Sequence, residues 1–312
     1  MAKPKTSPLH PRNQHRKGYD LEALATVEPA LKVILRKNPA GRTTIDWADP
    51  DAVKLLNSAL LKHHYGIDRW DIPANYLVPP IPGRADYLHY VADLLAEQNG
   101  GEIPTGRKVQ LVDIGTGANC IYPIIGHHEY GWRFTASDVD LRALKHAKAL
   151  LEANPKFKKA VQLTHQHDPK YVFRDVVHEH STFDATICNP PFHASAEEAR
   201  KANLRKQRNL NLPPTALNFG GRSNELWTPG GEVTFVRQMI RESRYRAEQV
   251  CWFTSLVSKK ANLPALQRAL KKVRPRTQRI IELGQGNKVS RILVWSFLSK
   301  GQRDEWADVR WR

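Results

Sequence analysis

A short, stiff polar segment follows an apolar run in the middle of the chain. The run FDATIC is typical of a buried strand, and Asn189, Pro190, Pro191 and Phe192 come directly after it. Proline fixes φ and has no N–H donor, so the carbonyl groups of this segment are free to accept hydrogen bonds. Their donors could belong to a bound ligand, or to the protein itself if the segment is only a rigid turn.

Two glycines and a more distant aspartate form a second pattern. The run VQLVDI has Asp113 as its penultimate residue, and Gly115 and Gly117 follow, where glycine lets the backbone turn tightly and approach a ligand. Asp138 ends the next apolar run, about 20 positions later, which suits a carboxylate that bonds ribose hydroxyls. Asn119 replaces the third glycine of a pyrophosphate cradle, so a ribose ligand without phosphates, such as S-adenosylmethionine, is favoured. The alternative is two ordinary turn glycines and a loop acid.

Other residues that could carry chemistry give weaker signals. Asp168, in HQHDP, follows the third apolar run and could accept the amino group of an adenine, or form an Asx turn before Pro169. The paired histidines have neither a cysteine nor an H-x-x-x-H helix beside them, so we predict no metal. The three cysteines are widely spaced, which predicts no disulfide framework: Cys120, Cys188 and Cys251.

The charge of the chain indicates a polyanionic partner. With 48 Lys and Arg against 31 Asp and Glu, the formal net charge is +17, and nucleic acid is the first candidate. The basic N-terminus lacks the apolar core of a signal peptide, and no apolar run is long enough to span a membrane. We therefore predict a cytoplasmic protein without a membrane partner.

Two segments concentrate the positive charge. One follows the NPPF segment and contains Arg205, Lys206 and Arg208. The other, residues 253–281, has eight Lys and Arg and no acid, and includes Lys271 and Lys272. Charge runs are usually solvated faces, but beside a base-binding pocket they could also clamp phosphates, so we predict RNA contacts there.

The N-terminal quarter differs in pattern from the rest. Residues 1–19 are basic and proline-containing, which predicts a flexible arm. Helical periodicity over residues 21–35 and 51–64 predicts a small helical RNA-binding module, residues 20–78. A proline-rich connector then leads into a larger domain, residues 79–312.

That larger domain alternates short apolar runs with amphipathic segments, which predicts a doubly wound α/β sheet with helices on both faces. The last run follows its predecessor after a short Gly-containing link, so we expect a hairpin whose final strand inserts antiparallel. The predicted class is a Rossmann-like, mostly parallel sheet of seven strands: VQLVDI, RFTASD, VQLTH, FDATIC, VCWFTSL, RIIEL and RILVWSFL.

The order of these patterns resembles class I S-adenosylmethionine-dependent methyltransferases that carry an (Asp/Asn)-Pro-Pro-aromatic motif. More narrowly, residues 80–300 resemble the ribosomal large-subunit methyltransferase F family and a related eukaryotic small-nuclear-RNA adenine methyltransferase. Four segments carry the resemblance: PPIPGRADYLHY, LVDIGTGANCIYP, ICNPPFHAS and FGGRSNELWTPGGE.

The resemblance implies methylation of the N6 amine of one adenosine in 23S ribosomal RNA, free or in an assembling large subunit. It implies that Arg84 contacts the methionine part of the cofactor and Gly115 lines it. Asp138 would hold the ribose and Asp168 the adenine, with Asn189 to Phe192 at the target base. Asp113 and Gly117 complete the predicted cofactor site.

Three alternatives stay open at this point. The same motif occurs in adenine-N6 DNA methyltransferases and in glutamine-N5 methyltransferases of proteins, although the net charge argues against a protein substrate. A non-catalytic RNA-binding factor for ribosome assembly could also keep the fold, and the intact NPPF segment argues against it.

Overall fold

Short helices open the described part of the chain and pack against a longer one. Where periodicity predicts one helix over residues 21–35, there are two, α1 (Leu21–Val27) and α2 (Leu31–Ile34). Pro29 separates them because it has no N–H and disfavours helical backbone at the residue before it. The computed structural model describes most of the chain, residues 9–73, 76–201, 227–285 and 288–312.

A small hairpin and a longer helix complete this region. The hairpin pairs β1 (Arg36–Lys37) with β2 (Thr43–Thr44) and was not predicted, because two-residue strands show no periodicity. Helix α3 (Pro50–Tyr65) corresponds to the predicted second helix. It begins after Asp49, whose side chain accepts the backbone N–H of Asp51, and ends at Gly66 in the left-handed region, with φ of 58°.

The prediction of a flexible arm is wrong for residues 9–19. The side-chain amide of Asn13 donates to the Pro82 carbonyl at 2.9 Å and also to the Asp86 carboxylate, which accepts the backbone N–H of His10 at 2.9 Å. His15 is hydrogen-bonded to the hydroxyl of Tyr65 at 2.8 Å. The residues that pack against the domain are buried, and they are uncharged or weakly basic. The composition of the segment is dominated by the exposed lysine and arginines between them, so it does not indicate that the segment is docked. Residues 1–8 lie outside the described residues.

A seven-stranded sheet forms the centre of the structure, as predicted. Its strands are β3 (Gln110–Ile114), β4 (Arg133–Asp138), β5 (Val161–His165), β6 (Phe183–Cys188), β7 (Val250–Val257), β8 (Thr277–Gln285) and β9 (Lys288–Ser296).

Strand order places two parallel strands beside the first one. The order is β5-β4-β3-β6-β7-β9-β8, in which β3 to β7 run parallel and β9 inserts antiparallel between β7 and β8. The expected hairpin is therefore confirmed. Because the order reverses at β3, the carboxyl ends of β3, β4 and β6 diverge around a crevice, which is where open α/β sheets bind ligands.

Helices cover both faces of the sheet. On β3, Leu111 belongs to one buried cluster and Val112 to another, because successive residues of a strand point to opposite faces. The helices are α4 (Ile81–Ala96), α5 (Ile121–Tyr130), α6 (Leu141–Glu152), α7 (Pro155–Lys158), α8 (Gly231–Ser243), α9 (Leu263–Val273) and α10 (Lys300–Arg310).

The N-terminal helices share a hydrophobic core with the sheet. Leu24 of α1 and Leu60 of α3 lie in the same buried cluster as Leu88 of α4 and Phe134 of β4. The segments before and after the predicted boundary near residue 78 therefore pack on one common hydrophobic core. The RNA-binding role of residues 20–78 stays a prediction. Within the described ranges, no helix is long and apolar enough to cross a membrane.

Candidate active site

A cleft opens at the carboxyl ends of β3, β4 and β6. It encloses about 1040 Å³, open solvent at its mouth included. Residues from the β3, β4 and β6 ends line it together with side chains from α4, α5 and α8. The three sequence patterns that predicted ligand chemistry therefore meet in one place.

The loop after β3 forms the floor of the cleft. Gly115 and Gly117 have φ of 73° and 65°, a conformation that residues with a Cβ adopt at a cost. The backbone N–H groups of Gly115 and Thr116 both donate to the Ser137 carbonyl at 2.9 Å, which ties the loop to β4. No atom lies within 4 Å of the position of a Cβ on Gly115, so a ligand can approach its backbone.

Asp138 lies beside this loop, at the end of β4. One carboxylate oxygen accepts the N–H of Gly117 at 2.9 Å, and the other accepts the N–H of Asp140 at 2.8 Å. Burial raises the pKa of Asp138, although these backbone donors act against that rise. The carboxylate is thus fixed in orientation, and each oxygen keeps a lone pair for a hydroxyl in the cleft.

Asp113 lies fully buried beneath the glycine loop. Neither of its carboxyl oxygens accepts a hydrogen bond of ordinary geometry. Burial raises its pKa to about 7, with the nearby Thr116 hydroxyl lowering it and the carboxylate of Asp138 raising it further. An unpaired buried carboxylate is costly, so a cationic or N–H donor group from a ligand would relieve it.

Arg84 brings a positive charge to the same end of the cleft. Its side chain is buried, and one guanidinium nitrogen donates to the hydroxyl of Tyr122 at 2.9 Å. The ring of Tyr122 in turn meets the ring of Tyr87 edge to face, at 5.5 Å between centroids. The arginine is therefore held by aromatic residues and keeps donors for an anionic group.

The same aromatic group holds the end of β6. The Tyr87 hydroxyl is hydrogen-bonded to Thr254 Oγ1 at 2.7 Å and accepts the N–H of Cys188 at 3.3 Å. Cys188 immediately precedes Asn189, so this contact fixes where the rigid segment leaves the sheet. Sequence reasoning missed Tyr87, because a tyrosine at helical spacing looks like any core residue.

Asn189, Pro190 and Pro191 line the mouth of the cleft. The side-chain oxygen of Asn189 is buried and has no hydrogen-bond partner among the described residues. Buried acceptors are normally paired, so this oxygen is available to an incoming N–H group. Phe192 is half-buried and does not line the cleft, whereas Phe235 of α8 does.

Gln166 supplies a donor that sequence reasoning missed. It follows β5, is buried and lines the cleft. Its side-chain oxygen accepts the N–H of Asp175 at 3.3 Å, and its side-chain nitrogen has no partner. Unpaired donors and acceptors around the fixed carboxylate of Asp138 fit a nucleoside-bearing ligand.

The sequence comparisons agree with this geometry. A sequence model of a family described as RNA methyltransferase matches residues 3–299. The chain is 53% identical over 305 residues to ribosomal RNA large subunit methyltransferase F of Cronobacter sakazakii, covering 97% of this chain and 98% of that one. Its counterpart in Pseudomonas entomophila is 52% identical, with 96% of each chain covered. The chain belongs to this family of RNA methyltransferases.

Solved structures of known proteins have the same fold as this chain. The human METTL16 catalytic domain, in complex with MAT2A 3′UTR hairpin 1, is 32% identical, with a TM-score of 0.80 over 93% of this chain and 96% of that one. A METTL16 N-terminal domain in complex with SAH is 29% identical, with a TM-score of 0.74 over 93% and 99%. The predicted fold class, the methyltransferase activity and the use of S-adenosylmethionine are confirmed.

Most of the predicted cofactor residues meet at the cleft, and one does not. Arg84, Gly115, Gly117 and Asp138 line it, with Asp113 directly below. Asp168 is half-exposed and forms an Asx turn, accepting the N–H of Lys170 at 3.0 Å, and it does not line the cleft, so its contact with adenine stays a prediction. Gln166, directly after β5, does line the cleft, together with Pro169, Tyr171 and Val172 of the same loop.

The predicted RNA contacts fall in different places. Lys271 and Lys272 are exposed in the last turn of α9. Of the segment 219–232, the structure describes the end, where Gly230 precedes α8 and Gly231 is its first residue, with φ of 79° and 65°, as expected for a glycine turn. Arg205, Lys206 and Arg208 lie outside the described residues.

The remaining candidate ligands are histidines in pairs, such as His165 and His167 with ring centroids 4.4 Å apart, and the three cysteines. Among the described residues, no group of three or more His, Cys, Asp and Glu side chains could hold a metal ion. The three cysteines are free and buried, and burial raises the pKa of Cys120 to about 12. A thiol with so high a pKa is a poor nucleophile.

We expect Asp138→Ala to weaken binding of S-adenosylmethionine by about 1–3 kcal/mol, because ribose hydroxyls lose a charge-assisted partner. Titration calorimetry measures this directly. Glu305→Gln, at an exposed position of α10, is the control, and its affinity should equal that of the wild type. Unchanged affinity for Asp138→Ala, or an equal loss for the control, would contradict the assignment.

We expect Asp113→Asn to change how the stability of the cofactor-free protein depends on pH. The pKa of Asp113 is about 7 when folded, against 3.8 for an ordinary aspartate. Its stabilising contribution is therefore complete below pH 3.8 and is lost as the pH rises through 7, by roughly 1.4 kcal/mol per pH unit in between.

Denaturant unfolding from pH 5 to 8 tests this. The variant should gain stability relative to the wild type as the pH rises. Glu305→Gln, which removes an exposed carboxyl from α10, should leave the wild-type pH dependence intact. Parallel curves for the wild type and Asp113→Asn would show that Asp113 is ionised and paired.

Proposed function

We propose that the chain transfers the methyl group of S-adenosylmethionine to the N6 amine of an adenosine in 23S ribosomal RNA. The observation that carries this proposal is the buried, unpartnered side-chain oxygen of Asn189 at the mouth of the cleft. It lies beside Pro190 and Pro191, which have carbonyl acceptors but no backbone N–H donors.

An exocyclic amine of adenine is a poor nucleophile, because its lone pair is delocalised into the ring. Two acceptors change this if the Asn189 oxygen and the Pro190 carbonyl each take one N–H. The nitrogen is then held pyramidal, with its lone pair directed at the carbon that it attacks. Orientation and positioned acceptors supply most of the acceleration.

S-adenosylmethionine, when bound, supplies a methyl group on a positively charged sulfur. In this chain Asp138 would hold its ribose hydroxyls and Gln166 would donate to its adenine ring. Arg84 would bind the carboxylate of its methionine part, and Asp113 lies where a positively charged amino group would be stabilised. These residues hold the reactants, and the N6 proton, acidic once the new C–N bond forms, can leave to water.

The target base needs a surface on which to stack. Enzymes that modify a base take it out of the helix or act on unpaired nucleotides. Phe235 lines the cleft and offers a ring there, while Phe192 is half-buried outside the lining. Phe235 also packs against the hydrophobic core on that face of the sheet, so we assign stacking of the target base to Phe192 of the NPPF segment together with Phe235.

Several observations support RNA over the alternatives. The curated relatives are named for ribosomal RNA of the large subunit, and a METTL16 neighbour is described with an RNA hairpin. The net charge of +17 favours a nucleic acid over a glutamine in a protein. We place the reaction in the cytoplasm, on 23S RNA or on a large-subunit assembly intermediate.

Substrate choice is tested in cells and in vitro. Mass spectrometry of ribosomal RNA from a deletion strain should show one N6-methyladenosine lost from 23S RNA and restored by the wild-type gene. Purified protein should then be given deproteinised 23S RNA, an assembling particle, and adenine-containing DNA of the same sequence. Methylation of DNA alone would overturn the proposal.

We expect Asn189→Ala to slow methyl transfer by about 10²–10³-fold, since it removes one positioned acceptor in the transition state. Binding of the cofactor and of RNA should change little. Single-turnover methylation of a ribosomal RNA fragment, with a melting curve beside it, measures the effect. Asn189→Asp keeps an acceptor in the same place and should retain more activity than the alanine variant.

A structural role for Asn189 predicts a different result. Loss of a turn residue would lower the melting temperature and weaken both ligands together. Near-normal turnover of Asn189→Ala, or inactivity that only accompanies unfolding, would contradict the catalytic role.

A further inference from the structure

A basic groove runs between α8 and α9, outside the cleft. It encloses about 1120 Å³, open solvent included. Its floor is apolar and contains Ile240, Ala265, Ala269 and Val273. Four cationic side chains line it: Arg237, Arg241, Arg268 and Lys272.

These four side chains are exposed and lack anionic partners. None of them forms an ion pair within the described ranges, and no acidic residue lines the groove. The nearest carboxylate along α8 is Glu242, and one of its oxygens accepts the N–H groups of Val172 and Phe173 at 2.8 and 3.0 Å. Its other oxygen accepts the side-chain amide of Gln238, and among the described residues Glu242 forms no ion pair with a groove cation. Four like charges around one depression repel each other, so an anion that bridges them is stabilised.

The basic surface continues beyond the groove. A second depression shares Val273 with it and is lined by Arg244, Arg274 and Arg276. Arg274 caps α9 with φ of 54°, a left-handed conformation that glycine usually fills. All three arginines are exposed, so the second depression extends the positive charge of the groove.

The groove is connected to the cleft through α8. Phe235 lines the cleft, and the adjacent Thr234 lines the groove. Helix α8 also starts beside the residues that follow the NPPF segment, since a Cβ on Gly231 would lie 3.1 Å from the N atom of Ala194. At 1.5 Å per residue, the basic surface from Thr234 to Arg244 extends about 15 Å away from the cleft.

We propose that this groove binds the phosphodiester backbone of the RNA substrate at nucleotides outside the active site. The inference rests on the proposed function and adds a contact surface to it. Three of the four cations are arginine, whose planar donors suit phosphate oxygens. An acidic protein segment is the competing occupant, and the experiment distinguishes the two.

The test compares two variants that each remove four positive charges. The groove variant is Arg237→Gln, Arg241→Gln, Arg268→Gln and Lys272→Gln. The control changes four exposed lysines of the α6–α7 region, beside β4 and β5: Lys145→Gln, Lys148→Gln, Lys158→Gln and Lys159→Gln. Binding of a labelled ribosomal RNA fragment is measured from low to high salt, with cofactor calorimetry and a melting curve as checks.

For the groove variant we expect RNA affinity to fall roughly tenfold or more near physiological salt. The slope of log affinity against log salt should flatten by up to about 0.7 for each single-strand phosphate that the variant no longer neutralises. Cofactor affinity and the rate at saturating RNA should match the wild type, because neither the cleft nor Asn189 is altered. The control should keep most of the wild-type slope.

Three results would overturn the proposal. An unchanged slope shows that the four side chains neutralise no phosphate, and an equal change in the control shows only a general charge effect. If the groove variant binds free RNA normally but no longer binds a precursor particle, the groove holds a protein. Failure of the wild type itself to methylate any RNA would instead refute the proposed function.

Discussion

The position of the reactive segment depends on one buried hydroxyl, that of Tyr87. It contacts Thr254 on β7 and the N–H of Cys188 at the end of β6, so a residue of α4 fixes two neighbouring strands. Cys188 is also paired in register with Ile114 of β3. Asn189 and the glycine loop therefore leave the sheet at a fixed separation, and the distance between a target amine and a cofactor in the cleft is set by the core.

Around this fixed frame the cleft contains polar groups that the fold leaves unsatisfied. The Asp113 carboxyl, the Asn189 oxygen and the Gln166 nitrogen are all buried without partners. Each costs folding free energy, of the order of 1–3 kcal/mol for a neutral group. The protein tolerates that cost because the packing of the surrounding core holds these side chains in place. A ligand that forms hydrogen bonds with these groups gains affinity, because the protein itself does not supply those bonds.

The sequence predicted the elements whose signals are local. Apolar runs predicted all seven strands, and two glycines after the first strand with Asp138 after the next predicted residues that the fold brings together in one cleft. The sequence did not single out Gln166, which lines the cleft two residues before Asp168, because loop side chains have no fixed periodicity. Phe235 was missed since it lies far along the chain from the NPPF segment. The docking of residues 9–19 depends on partners in α4, which no local pattern reveals.

The basic surface shows how three-dimensional information adds to a charge count. The run over residues 253–281 was interpreted as an RNA contact from its density alone, and only its members Arg268 and Lys272 line the groove. Their partners on α8, Arg237 and Arg241, share the same spacing of four residues, which places each pair on one helical face. Two such pairs become one surface only because α8 packs against α9. Composition indicated a polyanionic partner, and helix packing determines which cations can contact it together.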